Sequence, residues 1–261
     1  MTDQRSNSQE MRQRNGGAQK LRVLDLFSGI GGFHLGLERA GGFETVAFCE
    51  RNTWSAKSLP KGIPVHADVT CLNASDVGPV DVICGGFPCQ DASIANVEGA
   101  GTDGERTGLF RHIIRLARDL QPELIILENV PELLNRGFGD VLGALAEIGY
   151  DAQWDCVSAS SLGLPHKRER LIIVAYPQCS GRSGSLPDRN IFVRAFEAFA
   201  KHGDTVADGW AALVRSEPVL RERDGLSLTM ERRRLFQCGN AVVPHKIEAI
   251  GRAILEARAA A

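Results

Sequence analysis

The strongest constraint on the fold is an alternation of short apolar runs with amphipathic stretches. Residues 21–27 are apolar and end in a glycine-rich turn, and residues 33–40 follow at helical spacing, which predicts a strand, a phosphate-type loop and a helix. The alternation continues with strands predicted at 44–49, 80–85 and 124–127 and helices at 53–59 and 109–120. Residues 131–148 read as a helix with Pro131 at its first position and a break near Gly137, and strands follow at 152–159 and 170–175. Strands that alternate with helices predict an α/β fold, a mostly parallel sheet with helices on both faces.

Beyond Tyr176 and Pro177 the pattern gives way to Gly, Ser, Pro and Arg, with one helix-like stretch at 191–201. A small second lobe is therefore expected over 177–236. Residues 244–259 close the chain as a helix that carries Ile247, Ile250, Ile254 and Leu255 at helical spacing. The main domain is then 21–176 plus 237–261, and 261 residues suffice for one such core with a small lobe appended. Residues 1–20, rich in Gln, Asn, Ser and Arg without an apolar centre, read as a disordered extension or an over-called start site and not as a secretory signal.

Composition excludes several classes. No apolar run approaches the roughly 20 residues of a membrane span, so no membrane contact is expected. Seven cysteines without a Cys-x-x-Cys pair fit neither a disulfide framework nor a structural zinc site, so no metal is expected and a reducing cytoplasm is the expected setting. The net charge of −2 conceals an asymmetry: residues 1–160 carry −7 and residues 161–261 carry +5. A basic carboxy-terminal portion suits phosphate contacts, although solvated helix faces give the same balance.

Four segments carry chemistry. Phe27-Ser28-Gly29-Ile30-Gly31-Gly32 follows the first strand at the carboxyl edge, where doubly wound sheets bind nucleotide-like ligands; taken alone it serves a dinucleotide equally well, or simply turns the chain. Glu50 ends the second strand where a ribose-binding acid belongs, with Arg51 after it, and Asp68 with Val69 follows the next apolar segment, suited to an adenine amino group. Gly85-Gly86-Phe87-Pro88-Cys89-Gln90 ends a buried-looking strand and would project the Cys89 thiol into the cleft, whereas Cys49 and Cys84 read as small buried hydrophobes. Glu128-Asn129-Val130 ends the strand at 124–127. If the two strands are neighbours, Cys89 and Glu128 converge as a nucleophile beside an acid; otherwise Glu128 caps the following helix. Downstream, Arg168 and Arg170 lead into another strand, and Gly239-Asn240-Ala241-Val242 turns into the last helix.

In this order these segments resemble the cytosine-5 DNA methyltransferase family, closest to its compact bacterial and phage-borne members. The likeness covers about residues 21–176 and 237–255. It implies a Rossmann-like S-adenosylmethionine-dependent methyltransferase fold, with S-adenosyl-L-methionine over the first glycine turn against Phe27, Ser28, Gly29, Ile30, Gly31 and Gly32. Glu50 would hold the ribose and Asp68 the adenine, with Arg51, Val69, Pro88, Leu109, Asn240 and Ala241 lining the pocket. It implies further that Cys89 attacks a cytosine flipped out of double-stranded DNA, assisted by Glu128, Arg168 and Arg170. Residues 90–106 would be a mobile loop touching DNA through Gln90 and Ser93, and Arg232, Arg233 and Arg234 are the candidates for base contacts in the small lobe. A monomer is the default expectation.

The chain departs from the family pattern at His166, where Gln usually stands, at Arg51, where an apolar or aromatic residue is common, and before Arg234, where the family's longer pattern is missing. The expected lobe is also short. Three rival readings follow: methylation of cytosine in transfer RNA, a non-catalytic binder of DNA or cofactor, and a nicotinamide oxidoreductase that would leave Cys89, Glu128 and Arg170 without a role.

Overall fold

The computed structural model describes residues 19–88, 108–164, 167–178, 190–202 and 241–260. These residues build a seven-stranded sheet from β1 (Leu21–Leu26), β2 (Phe43–Cys49), β3 (Val65–His66), β4 (Val82–Gly85), β5 (Leu124–Asn129), β6 (Tyr150–Ser158) and β7 (Glu169–Pro177), in the order β3-β2-β1-β4-β5-β7-β6. β1 to β5 run parallel, β7 runs antiparallel to β5, and β6 antiparallel to β7. The parallel part follows the sequence expectation. The antiparallel end has a local cause: residues 159–168, between β6 and β7, are too few for the crossover of a dozen or more residues that parallel neighbours need.

Period-two alternation along the central strands sends successive side chains to opposite faces. Leu24, Leu26, Ile83, Ile125 and Leu127 pack on one face with Phe110, Ile113 and Leu116 of α4 (Leu109–Leu120) and Val141 and Leu145 of α5 (Phe138–Glu147). Val23, Val82, Cys84, Leu124 and Ile126 pack on the other with α1 (Gly32–Ala40), α6 (Ile191–His202) and α7 (Pro244–Ala259). Short helices α2 (Thr53–Ala56) and α3 (Ala74–Val77) join the strands on the β3 side. Among the described residues no helix is long and apolar enough to cross a membrane.

Local chemistry sets the element boundaries. Asn52 caps α2 by accepting from the amides of Trp54 and Ser55, and the helix ends before Leu59, whose neighbour Pro60 disfavours helical backbone, so it is shorter than expected. The stretch 131–148 splits into a 3-10 turn, Pro131–Asn135, and α5, because Gly137 takes a left-handed conformation at φ 86° and restarts the helix. Helix α6, at the start of the expected small lobe, buries Ile191, Phe192 and Ala195 in the same cluster as α7, so these residues belong to the main core.

The α1–α7 contact depends on absent side chains. A Cβ on Gly36 would stand 2.5 Å from the Pro244 carbonyl oxygen and 2.6 Å from Ile247 Cβ, and one on Gly32 would stand 2.5 Å from the Val242 carbonyl oxygen. Gly36→Ala is expected to lower stability by about 1–3 kcal/mol through overpacking. Gly143→Ala in α5, where a Cβ meets open space, should instead raise it by up to about 1 kcal/mol through helix propensity. Paired thermal melts check both signs, and a neutral Gly36→Ala would overturn the account of this interface.

Candidate active site

Because β1, β2, β4 and β5 are parallel, their carboxyl ends lie at one edge of the sheet, and the turns that follow them converge there. The antiparallel β7 contributes its beginning to the same edge, since Leu171 pairs with Asn129 and Ile172 with Glu128. Arg168 and Arg170 thus meet the end of β5 as a consequence of strand direction.

The turn after β1 is tightly organised. Phe27 and Gly29 have positive φ (53° and 55°), and Gly31, left-handed at φ 86°, caps α1. The Ser28 hydroxyl donates to the Asp25 carbonyl at 2.6 Å. Glu50 spans this turn and the next: its Oε2 accepts from the Gly29 amide at 2.7 Å and its Oε1 from the Asn52 amide at 2.6 Å. Each oxygen keeps a lone pair for an outer donor such as a hydroxyl. The first turn of α1 has no side-chain cap at its N-cap residue and no acidic residue of its own. Ile30 is half-buried, and Gly31 and Gly32 are buried.

On the β3 side, Asp68 accepts from the Thr70 amide at 2.8 Å, a bond that lowers its carboxyl from the usual range. Arg115 of α4 donates to the carbonyls of Val69 (3.1 Å) and Leu72 (2.7 Å) and so fixes the loop bearing Asp68. Val69 is buried. Phe27 and Leu109 are both partly buried against the same apolar cluster, whereas Arg51 is exposed. Asp25, fully buried on β1, is pushed up to about 8, chiefly by burial.

The other half of the edge holds Glu128, 7% exposed at the end of β5. Its Oε1 lies 3.1 Å from Arg170 Nε, and a Cβ on Gly86 would come within 3.2 Å of its Oε2. Burial pushes the Glu128 carboxyl up to about 7, against the opposing pull of Arg170, Arg168 and Lys246. Burial and the neighbouring Arg170 lower Arg168 from its ordinary value. Next to Glu128, the Asn129 side-chain Nδ2 donates to the Phe87 carbonyl at 3.1 Å, and Phe87 packs on Phe110 with ring centroids 4.9 Å apart. The segment leading to Cys89 is therefore held on both sides, and Pro88, its last described residue, is exposed.

The structure thus brings Glu128, Arg168 and Arg170 together, and groups Phe27, Ser28, Gly29 and Glu50 in a neighbouring turn. Cys89, Gln90, Ser93, His166, Arg232, Arg233, Arg234 and Asn240 lie outside the described residues; Ala241 is half-buried ahead of α7. Cys49 and Cys84 are buried, and burial raises both thiols, Cys49 to about 12, as suits packing residues.

Lys246 escaped the sequence reading, and Asp25 and Asn129 stood in its motifs without a role of their own. Lys246 was legible in principle, because it shares helical spacing with Ile250, Ala253 and Ala257, all buried.

Comparison with known proteins gives the family and the fold. The family described as C-5 cytosine-specific DNA methylase matches residues 21–203. The type II methyltransferase M.BsuFI of Bacillus subtilis is 31% identical over 241 residues, 88% of this chain and 58% of its own. M.Sau3AI of Staphylococcus aureus is 33% identical over 183 residues, 61% of this chain and 44% of its own. The solved Dnmt2 methyltransferase of S. pombe shares the fold at a TM-score of 0.52 and 24% identity, over 63% of this chain and 53% of its own. The chain spans about half the length of the curated relatives it matches. With a matching family profile over most of the chain and a Rossmann-like α/β sheet, the chain belongs to the C-5 cytosine-specific DNA methylases.

Proposed function

We propose that this protein transfers a methyl group from S-adenosyl-L-methionine to carbon 5 of a cytosine flipped out of double-stranded DNA, with Cys89 as the nucleophile. The observation that carries the proposal is Glu128: a carboxyl buried at the sheet edge, paired with Arg170, raised to about 7, and packed against Gly86 just ahead of Cys89. A carboxyl that holds a proton near neutral pH suits protonation of a ring nitrogen.

The cofactor residues fit the group they would hold. Glu50 has free lone pairs beside the glycine turn, suited to ribose hydroxyls, and Phe27, Asp68, Val69, Pro88, Leu109, Asn240 and Ala241 are assigned to the rest of the pocket. S-adenosylmethionine supplies an electrophilic methyl on a cationic sulfur. Cys89 thiolate adds to ring carbon 6, forming a sulfur–carbon bond and moving the ring's π electrons toward carbon 5, which becomes nucleophilic. Glu128 donates its proton to ring nitrogen 3 and accepts from the exocyclic amine. Arg170 binds the base's carbonyl oxygen, and Arg168 with Arg170 favours the thiolate by its charge. Carbon 5 takes the methyl as the methyl's bond to the cationic sulfur breaks, a solvent base removes the carbon 5 proton, the electrons of that bond expel Cys89 as thiolate, and the proton on ring nitrogen 3 returns to Glu128, which restores the aromatic ring.

Residues 177–236, apart from the α6 residues packed into the main core, are assigned to target recognition, with Arg232, Arg233 and Arg234 on base edges and Gln90 and Ser93 on the DNA around the flipped base. The protein is assigned as a cytoplasmic monomer. Incubation with methyl-labelled S-adenosylmethionine and unmethylated DNA is expected to label the DNA at cytosine. Transfer RNA in a parallel reaction is expected to stay unlabelled. Label in transfer RNA alone would reassign the substrate, and label in neither would remove the enzyme reading.

A further inference from the structure

Lys246 stands in the first turn of α7, on the face that packs against the sheet, and is 1% exposed. Its ammonium donates to the carbonyl of Val157 near the end of β6 and to that of Arg168 just before β7, each at 2.6 Å. A buried ammonium loses most of its hydration, and an apolar side chain would fill the volume without that cost, so packing alone does not account for a lysine here. Its partners do. Val157 pairs with Arg170 across the β6–β7 ladder, and the Arg168 carbonyl also accepts from the Ala159 amide at 3.0 Å. The ammonium therefore ties together the two chain segments from which Arg168 and Arg170 project, and anchors both to α7.

The same charge belongs to the surroundings of Glu128. Glu128 is faced by Arg168 and Arg170 from β7 and its approach and by Lys246 from α7. Lys246 is faced in turn by Glu128 from β5, by Arg168, Glu169 and Arg170, and by Cys156 of β6. We propose that Lys246 is a positioning residue of the active site, which holds the backbone of the arginine pair in register with Glu128 and supplies the third positive charge around that carboxyl. Its effect on methyl transfer rests on the function proposed above; its hold on Glu128 does not.

The test separates the two. Glu128 sits at about 7 in the folded protein against an ordinary value of 4.5, so its contribution to stability is full below about pH 4.5 and is lost as pH rises through about 7. Lys246, lowered to about 8 from 10.5, acts in the opposite sense and at higher pH: its contribution is full above about 10.5 and lost as pH falls through about 8. Thermal unfolding followed up to neutral pH therefore reads Glu128 together with Asp25, which burial pushes up to about 8, and the difference from the same series in a Glu128→Gln background isolates Glu128. Lys246→Met removes a charge that favours the ionised carboxyl, so the Glu128 midpoint should move up by roughly half a pH unit or more. Lys246→Arg should restore it, and in a Glu128→Gln background Lys246→Met should shift nothing. If Lys246→Met does not fold, Lys246→Gln, which keeps a donor without the charge, carries the same expectation.

The second readout is the rate of covalent adduct formation on DNA containing 5-fluorocytosine. Lys246→Met should slow it about tenfold with little change in DNA affinity, with Lys246→Arg in between. A uniform fall in melting temperature at every pH, with the Glu128 midpoint and the adduct rate constant unmoved, would reduce Lys246 to a packing residue and overturn the proposal. If the unaltered protein forms no adduct, the methyltransferase reading fails, while the unfolding series still decides whether Lys246 governs Glu128.

Discussion

DNA carrying 5-fluorocytosine at its target is expected to trap the protein as a covalent adduct, and Cys89→Ser is expected to abolish the trap and to lower methyl transfer by about four orders of magnitude or more. Carbon 5 of cytosine is too weak a nucleophile to take the methyl unaided, so the sulfur bond at carbon 6 is what makes the reaction possible. Fluorine cannot leave as a cation, so the intermediate cannot shed its carbon 5 substituent and release Cys89. Serine is nearly isosteric but its hydroxyl stays protonated, so binding of DNA and cofactor should survive the change. Denaturing electrophoresis reads the adduct directly, and an adduct that persists in Cys89→Ser would assign the nucleophile elsewhere.

Glu128→Gln should cost about 10²–10⁴ in the single-turnover rate, because an amide fills the pocket and donates a hydrogen bond but cannot deliver a proton. The pH profile gives the sharper expectation. With Glu128 at about 7, the protonated form is lost as pH rises through that value, so the donor role of the carboxyl produces a falling limb centred there. In Glu128→Gln that limb should vanish while the rising contribution of the Cys89 thiolate remains. A falling limb retained in the variant would assign it to another group. Arg170 tempers the effect: its guanidinium, 3.1 Å from Glu128, favours the ionised carboxyl and keeps the value near neutrality despite burial.

Legibility of the fold in the sequence followed the strength of local signals. Helix α4 matches its expected limits because its apolar residues keep helical spacing throughout and the chain leaves it through Gln121 in a left-handed conformation. The break at Gly137 was legible for the same kind of reason, a glycine within a helical pattern that begins at a proline. The two-residue β3 and the four-residue α3 carry too few side chains to set a period. The direction of β7 escaped altogether, because Leu171 to Ala175 form a continuous apolar run that reads alike in a parallel or an antiparallel setting; connection length, not composition, decides it.

At the site, Glu128 and the two arginines were legible as motif residues, but their pairing depends on the reversed β7. Lys246 offered only the helical spacing it shares with Ile250 as a signal: a lysine is usually solvated, and the carbonyls of Val157 and Arg168, far away along the chain, are what make its burial possible.

The close approach of Gly42 to α7 has a topological consequence. A Cβ on Gly42 would meet Leu255 at 2.8 Å, while the Gly42 carbonyl accepts from the amide of Leu21, the first residue of β1. The far end of α7 and the beginning of β1 are thus neighbours on the side of the sheet away from the active edge. What the packing requires is that α7 lie beside α1; it is indifferent to whether that helix is synthesised last or first. A rearranged gene that places residues 241–260 ahead of residue 21 would need only a short bridge, and the break it creates would fall before residue 241, outside the sheet. Segment order is in this sense a property of the gene, and the fold is a property of the contacts.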